Sequence, residues 1–280
     1  MKILKTAKSL QETRKGIDGL VGFVPTMGAL HEGHLSLIQK SLKENPVLIV
    51  SIFVNPTQFD SPLDLEKYPR NLTHDLSLIE QIAPDAIVFT PSVSEIYGNT
   101  VHTKNYAFEG LDRIMEGASR EGHFQGVATV VEQLLDLVKP DKAYFGEKDF
   151  QQLQIIKKMV SQKKHATTIV GCPIKREPDG LAMSSRNQRL SNEQRLHAPL
   201  LYQALQEAKS LFQKQNATAA HRHVEALFAA QTHFTLDYFS ICSEETLMES
   251  HVDKTEKVRG FIAAQLGEIR LIDNLKFWII

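Results

Sequence analysis

The sequence predicts an α/β protein, in which a parallel sheet covered by helices on both faces fills the N-terminal part and a smaller α+β domain follows. Three observations predict it. Short apolar runs alternate with amphipathic stretches as far as Val170; a polar, breaker-rich segment follows Pro173; and the tail offers three strand-like runs, the last two separated by Gly267. At roughly 100–200 residues per domain, 280 residues suggest two domains, expected here as 1–174 and 175–280.

The strand candidates are Gly22–Val24, Val47–Val54, Ala86–Phe89, Ala143–Phe145 and Thr168–Val170. Between them, His34–Lys43, Asn71–Ile82, Val127–Lys139 and Phe150–Gln162 repeat apolar residues at three- and four-residue spacing, as helices with one buried face do. Alternation of this kind gives a Rossmann-like parallel sheet joined by right-handed crossovers, and it places ligands at the carboxyl ends of the strands where the strand order switches. Further on, Lys175–Gly180 reads as a linker and Asn192–Gln213 as one long helical stretch. Leu236–Ile241, Arg259–Leu266 and Glu268–Leu275 read as antiparallel strands. His221-Arg222-His223 reads as the solvated face of a polar helix.

With Lys+Arg 32 against Asp+Glu 33 the formal charge is -1, so no global field recruits nucleic acid or an anionic membrane. Hydrophobic residues make up 42% of the chain, enough for a substantial core. Its two cysteines, Cys172 and Cys242, have no companion thiol at metal-ligand spacing, which argues against a disulfide framework and fits a reducing compartment. Lysines 2, 5 and 8 are followed by no apolar run, so no signal peptide is expected, and no stretch of about 18 apolar residues suggests a membrane span. The expected compartment is the cytoplasm.

Four segments carry chemistry. Val24-Pro25-Thr26-Met27-Gly28-Ala29-Leu30-His31-Glu32-Gly33-His34 leaves a strand, turns at glycine and enters a helix. Glycine admits a phosphate close to the backbone, a helix N-terminus offers N–H groups with partial positive charge, and an imidazole donor stabilises charge growing on phosphorus oxygens. An ATP site in outline results; a tight turn with surface histidines is the plainer reading, and a metal pair there lacks a third ligand. In Tyr144-Phe145-Gly146-Glu147-Lys148-Asp149-Phe150-Gln151-Gln152, Asp149 and Gln152 have capping-box spacing, while Lys148 beside a strand-end glycine suits phosphate. Gly180-Leu181-Ala182-Met183-Ser184-Ser185-Arg186-Asn187 is either a connection or a loop that closes over a triphosphate with hydroxyls and a guanidinium. In Phe53-Val54-Asn55-Pro56-Thr57-Gln58-Phe59 the amides of Asn55 and Gln58 either cap a turn or hold a small hydroxylated acid without neutralising its carboxylate.

Together these segments resemble the pantoate–beta-alanine ligase family over nearly the whole chain. His31-Glu32-Gly33-His34 resembles the His-x-Gly-His signature of a wider nucleotidyltransferase superfamily, and Met183-Ser184-Ser185-Arg186 this family's counterpart of the Lys-Met-Ser-Lys-Ser loop. Phe53-Val54-Asn55-Pro56, Tyr68-Pro69-Arg70, Glu116-Gly117-Ala118-Ser119-Arg120, Gly122-His123-Phe124, Phe145-Gly146-Glu147-Lys148-Asp149-Phe150-Gln151-Gln152 and Arg270-Leu271-Ile272-Asp273-Asn274 resemble family-specific runs in the same order. Glu121 and Gln125 depart from it, standing where the family commonly has proline and arginine, which leaves the roles of Arg120 and His123 open.

The resemblance implies ATP-dependent joining of pantoate to beta-alanine through a pantoyl adenylate, with AMP and pyrophosphate as by-products. It implies ATP contacts from Met27, Gly28, His31, His34, Gly146, Lys148, Asp149, Lys175, Met183, Ser184, Ser185 and Arg186, with His34 as the catalytic acid; on their chemistry Lys148, which suits charge on the phosphates, and Arg186, which suits the departing pyrophosphate, are expected to be catalytic too. Gln58 and Gln152 would hold pantoate, Asn55 and Gln58 would border beta-alanine, and Arg120 would lie at the substrates. ATP is expected as a substrate with Mg²⁺, with no tightly bound cofactor and no nucleic-acid or membrane partner, in a homodimer. The competing reading is an adenylyltransferase with a phosphate acceptor, which would favour further arginine or lysine over the amides of Gln58 and Gln152. A nucleotide sensor without turnover is the third.

Overall fold

A computed structural model describes residues 1–59, 62–249 and 257–277. The chain divides into two compact units: Met1–Glu147 with Gln151–Pro173, and Lys148–Phe150 with the chain from Ile174 onward.

In the first unit the elements are β1 (Lys2–Leu4), α1 (Ala7–Lys15), β2 (Val21–Thr26), α2 (Glu32–Glu44), β3 (Val47–Ile52), α3 (Pro62–Lys67), α4 (Leu72–Ile82), β4 (Ile87–Phe89), α5 (Val93–Tyr97), α6 (Met115–Ser119), α7 (His123–Val138), β5 (Lys142–Gly146), α8 (Phe150–Gln162) and β6 (Thr168–Cys172). All six strands are parallel, in the order β1-β4-β3-β2-β5-β6. From β2, the strands β3 and β4 follow to one side and β5 and β6 to the other, so the strand order switches between β2 and β5, where an open parallel sheet places its ligands. Central strands are covered on both faces, which is why β2, β3 and β5 read as nearly unbroken apolar runs.

Five elements of this unit lie outside the sequence expectations: β1, α1 and the short helices α3, α5 and α6. The edge strand β1 is three residues long, and α1 is polar with Leu10 its one buried residue, so neither offers a run of apolar residues to read. A further difference is at α7, which starts at His123, ahead of the expected Val127, because Gly122 (φ 76) turns the chain into the helix there. Helix α2 packs so closely on β2 that a Cβ on Gly22 would lie 2.0 Å from Ser41 Oγ.

The last residue of α2 ties the helix to the sheet. Glu44 accepts from Lys142 Nζ at 3.0 Å and from the Tyr144 hydroxyl at 2.9 Å, and it pairs with Lys40 at 2.9 Å. The hydrogen bond from Lys40, then those from Lys142 and Tyr144, hold its carboxyl at about 2, below the usual 4.5. A folded-state value below the unfolded one means stability that is present above about pH 4.5 and lost as pH falls toward 2. Glu44→Gln should therefore flatten the acid limb of the stability profile; urea midpoints measured between about pH 6 and pH 3 read this directly. Parallel profiles for the parent and variant would show that the tether contributes nothing.

The second unit holds α9 (Asn192–His197), α10 (Leu200–Lys214), α11 (Ala217–Ala229), β7 (Phe234–Ser243), β8 (Val258–Leu266) and β9 (Ile269–Lys276). The strands form an antiparallel sheet in the order β7-β8-β9. Leu205, Ala208 and Phe212 of α10 and Val224 and Phe228 of α11 pack into one core with Ile262, Ala264 and Leu266 of β8. The β8–β9 hairpin closes through Gly267 and Glu268, with positive φ (61) at the first turn position, where a type II′ turn takes glycine.

Two expectations for this unit are corrected. The single helix over Asn192–Gln213 is broken between His197 and Leu200, because Pro199 has no N–H to continue the α9 ladder. The segment 175–180 is also no loose linker but a tethered turn. Arg176 forks onto Asp273 at 2.6 and 2.9 Å, its guanidinium lies 3.9 Å from the Tyr202 ring centroid, and Gly180 (φ 94) leaves no room for a Cβ against that ring. His223 reaches Glu207 at 2.6 Å, and His221 meets the edge of Phe239. Among the described residues no helix is long and apolar enough to cross a membrane.

Candidate active site

At the carboxyl end of β2 the chain turns through Met27–Leu30 and enters α2 with His31 as N-cap, whose Nδ1 accepts from the Gly33 amide at 3.1 Å. Gly28 has φ +80, and even a Cβ there would come within 2.9 Å of Asp75 Oδ2. Asp75 is what holds the turn. Buried in the first turn of α4, its two carboxylate oxygens accept from the amides of Ala29 (3.0 Å) and Leu30 (2.7 Å). Burial pushes its carboxyl up, and the two amide donors pull it back down. Nothing in the sequence marked Asp75, because an acidic residue in a first helical turn is an ordinary partner of the helix dipole.

The turn sets the two histidines. The rings of His31 and His34 lie 4.2 Å apart between centroids, and His34 occupies the first turn of α2, at the positive end of the helix. Against this turn sits the Asn55–Gln58 segment. Gln58 Nε2 donates to the Met27 sulfur at 2.9 Å, so the amide expected at the acid and the turn expected at the nucleotide are neighbours. Behind it, Asn55 is buried: its Nδ2 donates to Gln58 Oε1 (3.0 Å), and its Oδ1 accepts from the Tyr97 hydroxyl (2.6 Å) and Thr57 Oγ1 (3.1 Å). Arg120 Nη2 donates to the Gln58 carbonyl at 2.8 Å, and His123 Nδ1 lies 2.9 Å from the same oxygen. Glycine at 126 lets α7 approach, since a Cβ there would lie 2.3 Å from the Thr57 carbonyl oxygen.

Gly146 closes β5, and Gln152 is half-buried on α8. Its neighbour Gln151 is an organiser that sequence reasoning missed. Buried, it donates to the carbonyls of Leu111 (2.7 Å) and Ile114 (2.8 Å) and accepts from the Glu116 amide (3.1 Å).

The remaining expected residues belong to the second unit. Glu147–Asp149 form a 3-10 turn that passes directly into α8 at Phe150, and Lys148 Nζ lies 3.4 Å from Asp149 Oδ1. The Lys148 carbonyl accepts from Asn274 Nδ2 at 2.8 Å, and Asn274 Oδ1 accepts from Arg259 Nη1 at 2.5 Å. Arg259 is itself buried, hydrogen-bonded to Glu244 at 2.8 Å and stacked 3.9 Å from the Phe150 centroid. The Met183 amide donates to the exposed Lys175's carbonyl at 3.0 Å, which draws those two expected residues together. Ser184 caps a 3-10 turn over Ser185–Arg189, accepting from the Arg186 amide at 3.3 Å; Ser185 is buried and Arg186 half-buried.

Residues 2–276 match the family model described as pantoate-beta-alanine ligase. The chain belongs to the pantoate-beta-alanine ligase family. It is 52% identical to the pantothenate synthetase of Christiangramia forsetii over 91% of this chain and 90% of that one. The crystal structure of the Thermus thermophilus pantothenate synthetase superposes with a TM-score of 0.93 at 42% identity, covering 100% of both chains. A pantoate-beta-alanine ligase of Francisella tularensis, solved in complex with beta-gamma ATP and beta-alanine, superposes with a TM-score of 0.82 at 37% identity over 99% of this chain and 98% of that one. The chain is thus a ligase that joins pantoate to beta-alanine, and the α/β sheet with its three-stranded antiparallel partner is that of the family.

Proposed function

We propose that the chain makes pantothenate in two half-reactions, with the residues above in defined roles. A pantoate carboxylate oxygen attacks the α-phosphorus of ATP, the bond from that phosphorus to the bridging oxygen breaks, and pyrophosphate leaves. The amine nitrogen of beta-alanine then attacks the acyl carbon, loses a proton, and releases AMP. ATP would enter as its Mg²⁺ complex, the substrate of the first step, with the ion offsetting phosphate charge. The observation that carries the assignment of residues is the Gln58 contact with Met27, which makes an acid-holding amide adjoin the glycine turn that leads to His34.

Gln58 and Gln152 hold pantoate through neutral amides, which leave its carboxylate nucleophilic. Asn55 borders beta-alanine and, with both its amide atoms engaged, also orients Gln58; Arg120 and His123 position Gln58 through its carbonyl. Met27, Gly28, His31, Gly146, Asp149, Lys175 and Met183 bind ATP. His34 and Lys148 stabilise charge on its phosphates, and Ser184, Ser185 and Arg186 receive the departing pyrophosphate. Residues 1–174 bind nucleotide and pantoate, and residues 175–280 act as a lid that keeps water from the adenylate. The resemblance supplies the rest of the reading, a cytoplasmic homodimer joined through the N-terminal domain.

Incubation with pantoate, beta-alanine, ATP and Mg²⁺, each omitted in turn, is the test. Pantothenate, AMP and pyrophosphate are expected together only when all components are present. AMP left attached to an acceptor would assign an adenylyltransferase instead, and nucleotide binding without turnover a sensor.

A further inference from the structure

One cluster of ligating side chains lies outside everything the reaction uses. Glu193 and His197 are four residues apart on α9, and therefore share a face of that helix. His233 immediately precedes β7, and it brings its ring against that of His197, with centroids 4.3 Å apart and planes 22° from parallel. One carboxylate oxygen and one nitrogen from each ring lie within 4.8 Å of one another. We propose that Glu193, His197 and His233 form a binding site for a borderline transition-metal ion of the Zn²⁺ class.

The donor set decides the class. Two imidazoles and a carboxylate suit Zn²⁺, Cu²⁺, Ni²⁺ or Co²⁺, whereas Mg²⁺ and Ca²⁺ take oxygen donors. In a tetrahedral site with bonds near 2.0–2.1 Å, ligand atoms stand about 3.3 Å apart, so from separations within 4.8 Å the three must close by at most about 1.5 Å. Glu193 and His233 are exposed and His197 only half-buried, which leaves side-chain rotation free to make that closure and keeps the fourth position open to water.

The supports of the cluster are already rigid, which lowers the entropic cost of binding. Ser191 and Gln194 form a full capping box that fixes the first turn of α9. The Gln194 side chain also donates to the Leu266 carbonyl at 3.2 Å, and Leu266 is the residue that pairs with Phe234, next to His233. Both ligand-bearing segments are thus pinned to one residue at the end of β8. The fit is close there, since a Cβ on Gly267 would lie 2.6 Å from Gln194 Nε2. Because α9 follows the Ser185–Arg189 turn after Leu190 and Ser191, a bound ion would clip the helix next along the chain from that turn.

The test titrates the untagged full-length chain with Zn²⁺, by calorimetry and by thermal unfolding, with Mg²⁺ as the control. Saturable binding of roughly one Zn²⁺ per chain is expected, with an unfolding temperature that rises with Zn²⁺ concentration. His197→Ala and His233→Ala should each weaken it by on the order of 100-fold, and Glu193→Gln should weaken it less. His223→Ala, which removes a histidine paired with Glu207 on other helices, should leave it unchanged. Zn²⁺ held as tightly by the His233→Ala chain as by the parent, or no saturable binding by the parent, overturns the proposal. The readout is binding alone, so it stands or falls apart from the ligase assignment.

Discussion

Replacing His34 by alanine is expected to slow pyrophosphate release by about 10²–10³-fold, the usual consequence of losing one preorganised donor to developing charge. His34 lies half-buried in the first turn of α2, its ring against that of His31. Alanine is a better helix former than histidine, so the substitution leaves the helix intact and unfolding by urea should move little. A transition-state role predicts that kcat falls while KM for ATP changes less, because the imidazole acts on charge that appears only as the bond breaks. His34→Gln, which keeps an N–H donor, should recover part of the rate. Near-parental pyrophosphate release by a folded His34→Ala chain would remove the residue from the catalytic list.

The largest loss of stability from a single change near the turn is expected at Asp75. Alanine there leaves the amides of Ala29 and Leu30 buried without their acceptors, at about 1–3 kcal/mol for each. The direction of its shift shows that burial already disfavours the carboxylate, and removing it recovers some of that cost. The net loss should be about 2–4 kcal/mol, read from urea unfolding. The turn from Met27 to Leu30 would relax with it, so KM for ATP should rise. Asp85→Ala, on an exposed residue beyond the far end of α4, is the control and should leave both readings unchanged. An Asp75→Ala chain as stable as the parent would show that the turn holds its own shape.

Much of the first unit could be read from the sequence because central parallel strands bury both faces. Val21–Thr26, Val47–Ile52 and Lys142–Gly146 must be apolar nearly throughout, and the helices between them must carry one apolar stripe, so the alternation survives in the residues themselves. The motifs could be read for a related reason: Met27-Gly28 and His31-Glu32-Gly33-His34 are local devices, a left-handed turn and a helix start, whose parts lie within a few residues of one another. Edge strand β1 and polar helix α1 left no such trace.

By itself, then, the sequence determined the α/β class, the existence of the glycine turn and the amide-bearing segment, and the family to which those motifs belong. Only the tertiary structure decided that Asp75, from α4, ties the turn through the amides of Ala29 and Leu30, and that Gln58 rests on Met27 while Arg120 grips its carbonyl. It alone decided that Asn274 and Arg259 stand behind Lys148, more than a hundred positions away along the chain. These pairings join residues through hydrogen bonds that have no period and no fixed spacing. Any aspartate or asparagine offers the same acceptors, and only the packed backbone selects which one is within reach.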